Sequence, residues 1–357
     1  MKQNVTIKDI AKIAGVSTAV VSVALSKGRS NARMSPRTRE RIRAIAEEYN
    51  YQPNITARGF HCRKSYLIGF FFNCLNSGYI LMRMMEELRM FCYQHDYDII
   101  LYPISSLEME RHSIKSARAR NLDAVLTIPF ADETGNNLEY YRQFLADGIP
   151  VIQLLYQLSP EFDYIGRDYN SVGIQAIKTL HQAGHKRIGL IIFDNYVDEQ
   201  LGRNSHQLYH SCRREANQCG VELTVYPVQS GNPDCSYPVE NIAEQILSLP
   251  EKVRPTALIG STNKLTYKIY GSLKEANLRI PENISLLGCA DDMEQNGSLL
   301  PDLSYMKIPF ADLAQAAGKE ALKTDSHSNV RSQLFTSSIS GMKTIHTITN
   351  KKTCKRR

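Results

Sequence analysis

The 357-residue chain has no apolar run of about eighteen residues and no hydrophobic segment at its N-terminus. The first absence leaves nothing to cross a membrane as a helix, and the second points to a cytoplasmic protein. Eight cysteines are present, yet none forms a Cys-x-x-Cys pair and none clusters with histidine at zinc spacing. They are expected to be reduced core thiols, with no metal site. The chain also lacks a Gly-x-Ser-x-Gly elbow, a Walker-type phosphate loop, a Gly-x-Gly-x-x-Gly run and a His-Glu-x-x-His run. Each absence removes a reaction class, and together they argue against an enzyme or a resident cofactor. His185, in Gly-His-Lys-Arg, reads as a packing and capping residue ahead of a strand.

Charge is abundant but unevenly placed. Residues 1–64 hold thirteen Lys and Arg against four Asp and Glu, and Lys-Lys-Thr-Cys-Lys-Arg-Arg at 351–357 adds five positive charges. The chain as a whole is +7, so these blocks of +9 and +5 leave residues 65–350 at −7. A basic head on an acidic body fits a nucleic-acid module joined to a domain that avoids phosphates. The basic run at the other end reads as a solvated tail.

The head itself reads as helices. In Thr-Ile-Lys-Asp-Ile-Ala-Lys-Ile-Ala-Gly-Val-Ser-Thr-Ala-Val-Val-Ser-Val-Ala-Leu at 6–25, Ile10, Ala11 and Ala14 repeat at helical spacing. Gly15 supplies the left-handed corner that ends the first helix, Val16 packs into it and Ser17 caps a second helix. There Val20, Val21, Ala24 and Leu25 face inward, leaving Thr18, Ala19, Ser22 and Val23 nearer the outside. An exposed row of small residues on a stiff helix can approach base edges in a major groove. Ser35 and Pro36 start a third helix, continued to Glu48, whose Ile42, Ile45 and Ala46 face the first two. Tyr49 and Tyr51 are expected to close the core, and only some of Arg37, Arg39, Arg41 and Arg43 can reach phosphate. After Pro53, Asn54 can cap a helix of about two turns, too short to be stable alone and weakened by Gly59. Phe60 near its end is an apolar wedge of the type that enters a minor groove, or else one buried aromatic in a linker.

The order of these pieces resembles the lactose/galactose-repressor (LacI/GalR) family of bacterial transcription factors. The likeness is carried by residues 6–17 and 51–58 of the head. In the body it is carried by Gly-Arg-Asp-Tyr-Asn-Ser-Val-Gly at 166–173, Ala-Gly-His-Lys-Arg-Ile-Gly at 183–189, Pro-Glu-Asn-Ile-Ser-Leu-Leu-Gly at 281–288 and Pro-Asp-Leu-Ser at 301–304. The resemblance implies a helix-turn-helix head, a hinge helix, and a two-lobed body like a periplasmic sugar-binding protein. It further implies a homodimer on a near-palindromic double-stranded DNA operator, with a small-molecule effector in the cleft between lobes. By the same resemblance Thr18, Ala19 and Val23 read bases; Thr6, Ser17, Ser22 and Asn31 position phosphates; and Asn54, Ala57, Arg58 and Phe60 form the hinge. Val23 stands where the family carries a polar side chain and Phe60 where it carries leucine, so base choice leans on thymine methyl contacts and on the hinge.

The expected fold is thus an all-α headpiece at 1–52, a hinge helix and linker at 53–64, and an α/β body at 65–345 built as two parallel-sheet subdomains, followed by a basic tail at 346–357. Lobe one takes about 65–163 and 292–312, lobe two about 164–291 and 313–345. Apolar runs give strands at Tyr66–Phe72, Asp98–Tyr102, Ala124–Ile128, Pro150–Leu155, Arg187–Phe193, Glu222–Pro227, Ala257–Gly260 and Ser285–Gly288. Ligands of such folds sit at the carboxyl ends of strands, which by resemblance nominates Ser77, Gly78, Tyr79, Arg203 and Asn263 for the effector. Three departures bear on its identity: Lys264 follows Asn263 where the family has aspartate, Ala290 stands where it has a sugar-gripping aspartate, although Asp291 follows, and His206-Gln207 replaces a glycine–aromatic pair. A standard sugar would lose a charge-assisted bond there, leaving open an unusual effector, none, or a protein corepressor at the 65–100 face. Beyond Lys323 the likeness weakens, and no leucine heptads point to a tetramer. A transport solute-binding protein shares such a body but has no use for a basic three-helix head.

Overall fold

The computed structural model describes residues 5–25, 34–51, 64–73, 78–132, 134–194, 203–229, 240–289, 303–323 and 331–348. Three helices come first: α1 (Ile7–Ala14), α2 (Thr18–Leu25) and α3 (Pro36–Glu48). Their shared core is Ile10, Ala11, Ala14, Val21, Ala24 and Ile42, with Val20, Leu25, Ile45 and Tyr51 packed against it. The stripes expected from spacing are therefore the buried ones. Tyr49 is the exception: it is 43% exposed, and Tyr51 alone closes that side of the core.

The body alternates strands and helices: β1 (Leu67–Asn73), α4 (Gly78–Gln94), β2 (Asp98–Ile104), α5 (Leu107–Arg118), β3 (Ala124–Thr127), a small hairpin of β4 (Ala131–Asp132) and β5 (Gly135–Asn136), α6 (Leu138–Ala146) and β6 (Val151–Leu154). Then follow β7 (Asp163–Arg167), α7 (Tyr169–Gln182), β8 (Arg187–Phe193), α8 (Arg203–Cys219), β9 (Glu222–Val228), α9 (Glu240–Ser248), β10 (Ala257–Gly260), α10 (Asn263–Glu275), β11 (Ser285–Gly288), β12 (Ser304–Lys307), α11 (Phe310–Ala321), β13 (Ser332–Phe335) and β14 (Ser338–Ser340). Contacts divide the chain into two units: Met1–Leu154 with Glu161–Asp163 and Ala314–Arg331, and Leu155–Pro160 with Tyr164–Leu313 and Ser332–Arg357.

In the first unit β2, β1, β3 and β6 lie side by side and parallel, with Leu67 opposite Asp98, Ile68 opposite Ala124 and Val125 opposite Val151. β1 reads Leu-Ile-Gly-Phe-Phe-Phe because helices cover both faces of a parallel sheet and its interior strand has no wet side. Phe71 stacks on Tyr102 at 4.4 Å between centroids and meets Phe144 edge-on. The start of β1 is fixed by Asp123, whose carboxylate accepts from Ser65 N (2.8 Å), Ser65 Oγ (3.0 Å) and Tyr66 N (3.1 Å).

In the second unit the order is β9-β8-β10-β11-β12, all parallel, with β14 antiparallel on β12. α7 and α8 pack against each other, and Gly173 permits it: a β-carbon there would overlap Ser211 Oγ and lie 2.9 Å from Leu208 O. β7 pairs with β13. His185 is buried, its Nδ1 2.9 Å from Thr256 Oγ1 and its Nε2 3.0 Å from His346 O, and burial pulls its pKa down. That is the structural role expected from the sequence.

Two boundaries are corrected. Residues 292–312 were expected in lobe one, but β12 is hydrogen-bonded into the second unit's sheet, so the crossing falls at 313/314, and 314–331 belongs to the first unit. The tail expected from 346 begins later: His346 N donates to Ser285 Oγ and Ile348 N to Ala183 O, which ties 346–348 to the body. Cys92, Cys212 and Cys289 are buried free thiols; burial pushes Cys92 up to about 11 and Cys289 up to about 12.

Candidate nucleic-acid interface and effector residues

The head presents one small-residue helix face because its termini are closed from within. Thr6 and Asp9 cap α1 reciprocally: Asp9 N donates to Thr6 Oγ1 (3.4 Å), while Thr6 Oγ1 and Thr6 N donate to Asp9 Oδ2 at 2.6 and 2.9 Å. The Thr6 hydroxyl bond, then its amide bond, holds the Asp9 carboxyl below its usual range. Thr6, expected to touch phosphate, thus has its hydroxyl committed to Asp9. Gly15 at φ 61°, ψ 37° ends α1, and Val16 N closes the corner on Ala11 O at 3.0 Å. Ser17 Oγ accepts from Val20 N at 3.4 Å, starting α2.

On α2, Thr18, Ala19 and Ser22 are exposed, Val23 is half-buried, and Val21 and Ala24 point inward. Two of the four α3 arginines are turned to the protein: Arg41 Nη2 donates to Ala14 O (2.7 Å) and Arg43 Nε to Ala24 O (3.2 Å). They satisfy carbonyls that the ends of α1 and α2 leave open. Lys8 on α1 and Arg37 and Arg39 on α3 form no ion pair among the described residues, so these cations stand available. Asn31, Asn54, Ala57, Arg58 and Phe60 lie outside the described residues.

Of the effector candidates, Ser77 is also outside them; Gly78 and Tyr79 open α4, and Arg203 opens α8. Asn263 opens α10 directly after the carboxyl end of β10, behind the Thr262 cap, whose Oγ1 accepts from Leu265 N. Its Oδ1 is buried without a hydrogen-bond partner, as is Oγ of the neighbouring Ser261, a residue only 4% exposed. Ser261 was not singled out from the sequence; its position one residue past a buried strand is the signal that could have found it.

The 166–173 motif proves structural, residue by residue. A β-carbon on Gly166 would overlap the Tyr164 ring, and Asp168 Oδ1 caps α7 by accepting from Ser171 N (3.1 Å). Arg167, which sequence reasoning passed over, is 2% exposed. Its Nε donates to Ser337 Oγ (2.6 Å), its Nη2 to Met306 O (3.0 Å), and its guanidinium lies 5.7 Å from the Tyr169 ring centroid. It bolts β7 to β12 and to the residue before β14.

The description "Bacterial regulatory proteins, lacI family" matches residues 6–54, and "Periplasmic binding protein-like domain" matches residues 177–334. The chain is 27% identical over 308 residues to the HTH-type transcriptional repressor PurR of Vibrio atlanticus, covering 85% of this chain and 87% of that one. It is 25% identical over 320 residues to the ribose operon repressor of Haemophilus influenzae, covering 89% and 91%. In structure it resembles the lac repressor dimer bound to operator and an anti-inducer, with a TM-score of 0.69 at 20% identity over 96% of this chain and 100% of that one. It also resembles a LacI family regulator from Enterococcus faecium with bound ribose, with a TM-score of 0.63 at 17% identity over 79% and 100%. A helix-turn-helix head joined to a periplasmic-binding-protein-like body defines a DNA-binding transcriptional regulator, not an enzyme. In both its head and its body, then, the chain is similar to the lacI family of bacterial regulatory proteins. Among the described residues no helix is long and apolar enough to cross a membrane.

Proposed function

We propose that this regulator is a repressor that binds a near-palindromic operator as a homodimer and responds to a small polar effector held by its body. The observation that carries the reading is the head: Thr18, Ala19 and Ser22 stand exposed on α2, and Lys8, Arg37 and Arg39 of the same three-helix unit have no ion-pair partner among the described residues. Thr18, Ala19 and Val23 read bases; Ser17, Ser22 and Asn31 meet phosphates; and Thr6 acts through the α1 terminus it fixes, where helix amides favour anions. Asn54, Ala57, Arg58 and Phe60, within the 53–64 hinge, supply the minor-groove contact. Arg203, Asn263, Ser77, Gly78 and Tyr79 bind the effector, joined by Ser261, because buried oxygens without partners suit a ligand rich in hydroxyl or amide donors.

Selection from random duplexes identifies the operator, after which affinity is measured against salt. Lys8→Ala is expected to lower the slope of log K against log salt by about 1, the value of one lost phosphate contact. A selected duplex bound with no salt slope, or no better than scrambled sequence, overturns the reading. For the effector, a ligand at 100 times its Kd raises stability by about 2.7 kcal/mol, which a thermal-shift screen of small polar metabolites detects.

A further inference from the structure

A cavity of about 340 Å³ opens at the amino ends of the second unit's central strands, the opposite end of that sheet from Ser261 and Asn263. Its wall includes Arg187, the first residue of β8, and Arg254, Thr256 and Asn283, which precede β10 and β11. The two arginines are held in place but not neutralised. Arg187 Nε donates to Arg254 O (2.8 Å), and Arg254 Nη2 donates to Leu247 O (2.7 Å) and Leu249 O (3.0 Å). Arg254 Nε is buried without a partner, and neither guanidinium forms an ion pair among the described residues. Glu251, the one acidic wall residue, is exposed and pairs with neither. Asn283 spends its Oδ1 on Arg279 N (2.8 Å), leaving its amide NH2 as a donor.

The surroundings add charge of the same sign. An adjoining cavity shares Leu278 and is lined by Lys274 and Arg279 against one acidic residue, Glu282, a net positive balance.

We infer that this cavity is an anion site for a small phosphate-bearing molecule, separate from the effector residues at the other end of the sheet. With both guanidiniums fixed by backbone carbonyls, the two Nη groups of Arg187 and the unpartnered Nε of Arg254 are left as donors at little ordering cost, and several charged donors together match a phosphate better than a lone carboxylate or an apolar ligand. The cavity volume lies within the range of small-molecule sites.

The test is calorimetric titration of the full chain with inorganic phosphate at constant ionic strength, chloride serving as the balancing anion. Saturable binding is expected, weakened about tenfold or more in Arg187→Gln and tightened several-fold in Glu251→Gln. An unrelated duplex is the second arm, because the basic head also attracts phosphate: Arg187→Gln should leave its affinity unchanged. Non-saturable binding, equal affinity in wild type and Arg187→Gln, or a loss seen with duplex but not with phosphate would each overturn the assignment. Where Arg187→Gln fails to fold by circular dichroism, Glu251→Gln decides: tighter phosphate binding supports the site, unchanged affinity removes it.

Discussion

Glycine substitutions separate two physical causes that look alike on paper. Gly15 sits at φ 61° with nothing within 4 Å of where a β-carbon would lie, so Gly15→Ala incurs only the left-handed backbone, about 1 kcal/mol. Gly15→Asn should cost less, since asparagine tolerates that region. Gly173→Ala meets Ser211 Oγ and the Leu208 carbonyl, an overpacking cost of about 1–3 kcal/mol that Ser211→Ala should relieve in part. Thermal denaturation of the four variants checks both claims; equal losses at Gly15 and Gly173, with no rescue, would refute the distinction. The two positions also differ in legibility. Gly15 announces itself as a helix stop, whereas the need for Gly173 depends on α8, whose Ser211 lies far along the chain. The same limit hid the α3 arginines: the carbonyls that Arg41 and Arg43 reach are 27 and 19 residues away, and no local pattern shows which cations remain for DNA.

At the scale of elements, α5, α6 and β3 are joined by one buried polar chain. Thr127 Oγ1 donates to Tyr141 Oη (3.3 Å), Tyr141 Oη to Glu110 Oε1 (2.7 Å), and Asn137 Nδ2 to Glu110 Oε2 (2.7 Å). Burial raises the Glu110 pKa, and the donated bonds from Tyr141 and Asn137 oppose that without cancelling it. The protonated form is therefore favoured by folding, so stability should rise as pH falls through the raised native pKa and level off near the unfolded value of about 4.3. Denaturant unfolding across pH 4–8 should show this rise in the wild type and a flatter profile in Glu110→Gln. An unchanged profile would mean that Glu110 does not titrate in this window. The pattern of apolar runs found β1, β8, β10 and β11 to within a residue because strands with two covered faces leave no polar alternation to confuse them. It missed β7, β12, β13 and β14: Ser-Tyr-Met-Lys and Ser-Gln-Leu-Phe carry no such run, and their pairings join segments far apart in sequence. That is also why the boundary at 292–312 was misplaced.

For the whole molecule, charge gives a physical reason for the proposed pairing of two heads. Residues 65–350 carry −7 net and as a whole repel a duplex backbone, so docking on DNA falls to the +9 head, and in the proposed dimer a second copy is the direct way to add phosphate contacts. For the proposed homodimer the candidate pairing surface is in the first unit: on α4, Met82 is 64% exposed, and Met90 and Tyr93 are exposed further along the helix, with Leu101 exposed on the edge strand β2. Large apolar side chains gathered on one helix and an adjacent edge mark an interface more than a solvated face. Met82→Glu combined with Tyr93→Glu places like charges opposite each other in a two-fold contact, where each patch meets its own copy. The expected result is a monomer by sedimentation with unchanged far-ultraviolet circular dichroism. Operator affinity should fall steeply, and the salt slope should drop to about half, because one head then makes half the phosphate contacts. A variant that stays dimeric moves the interface elsewhere, and a monomer that keeps the full slope breaks the link between pairing and DNA binding.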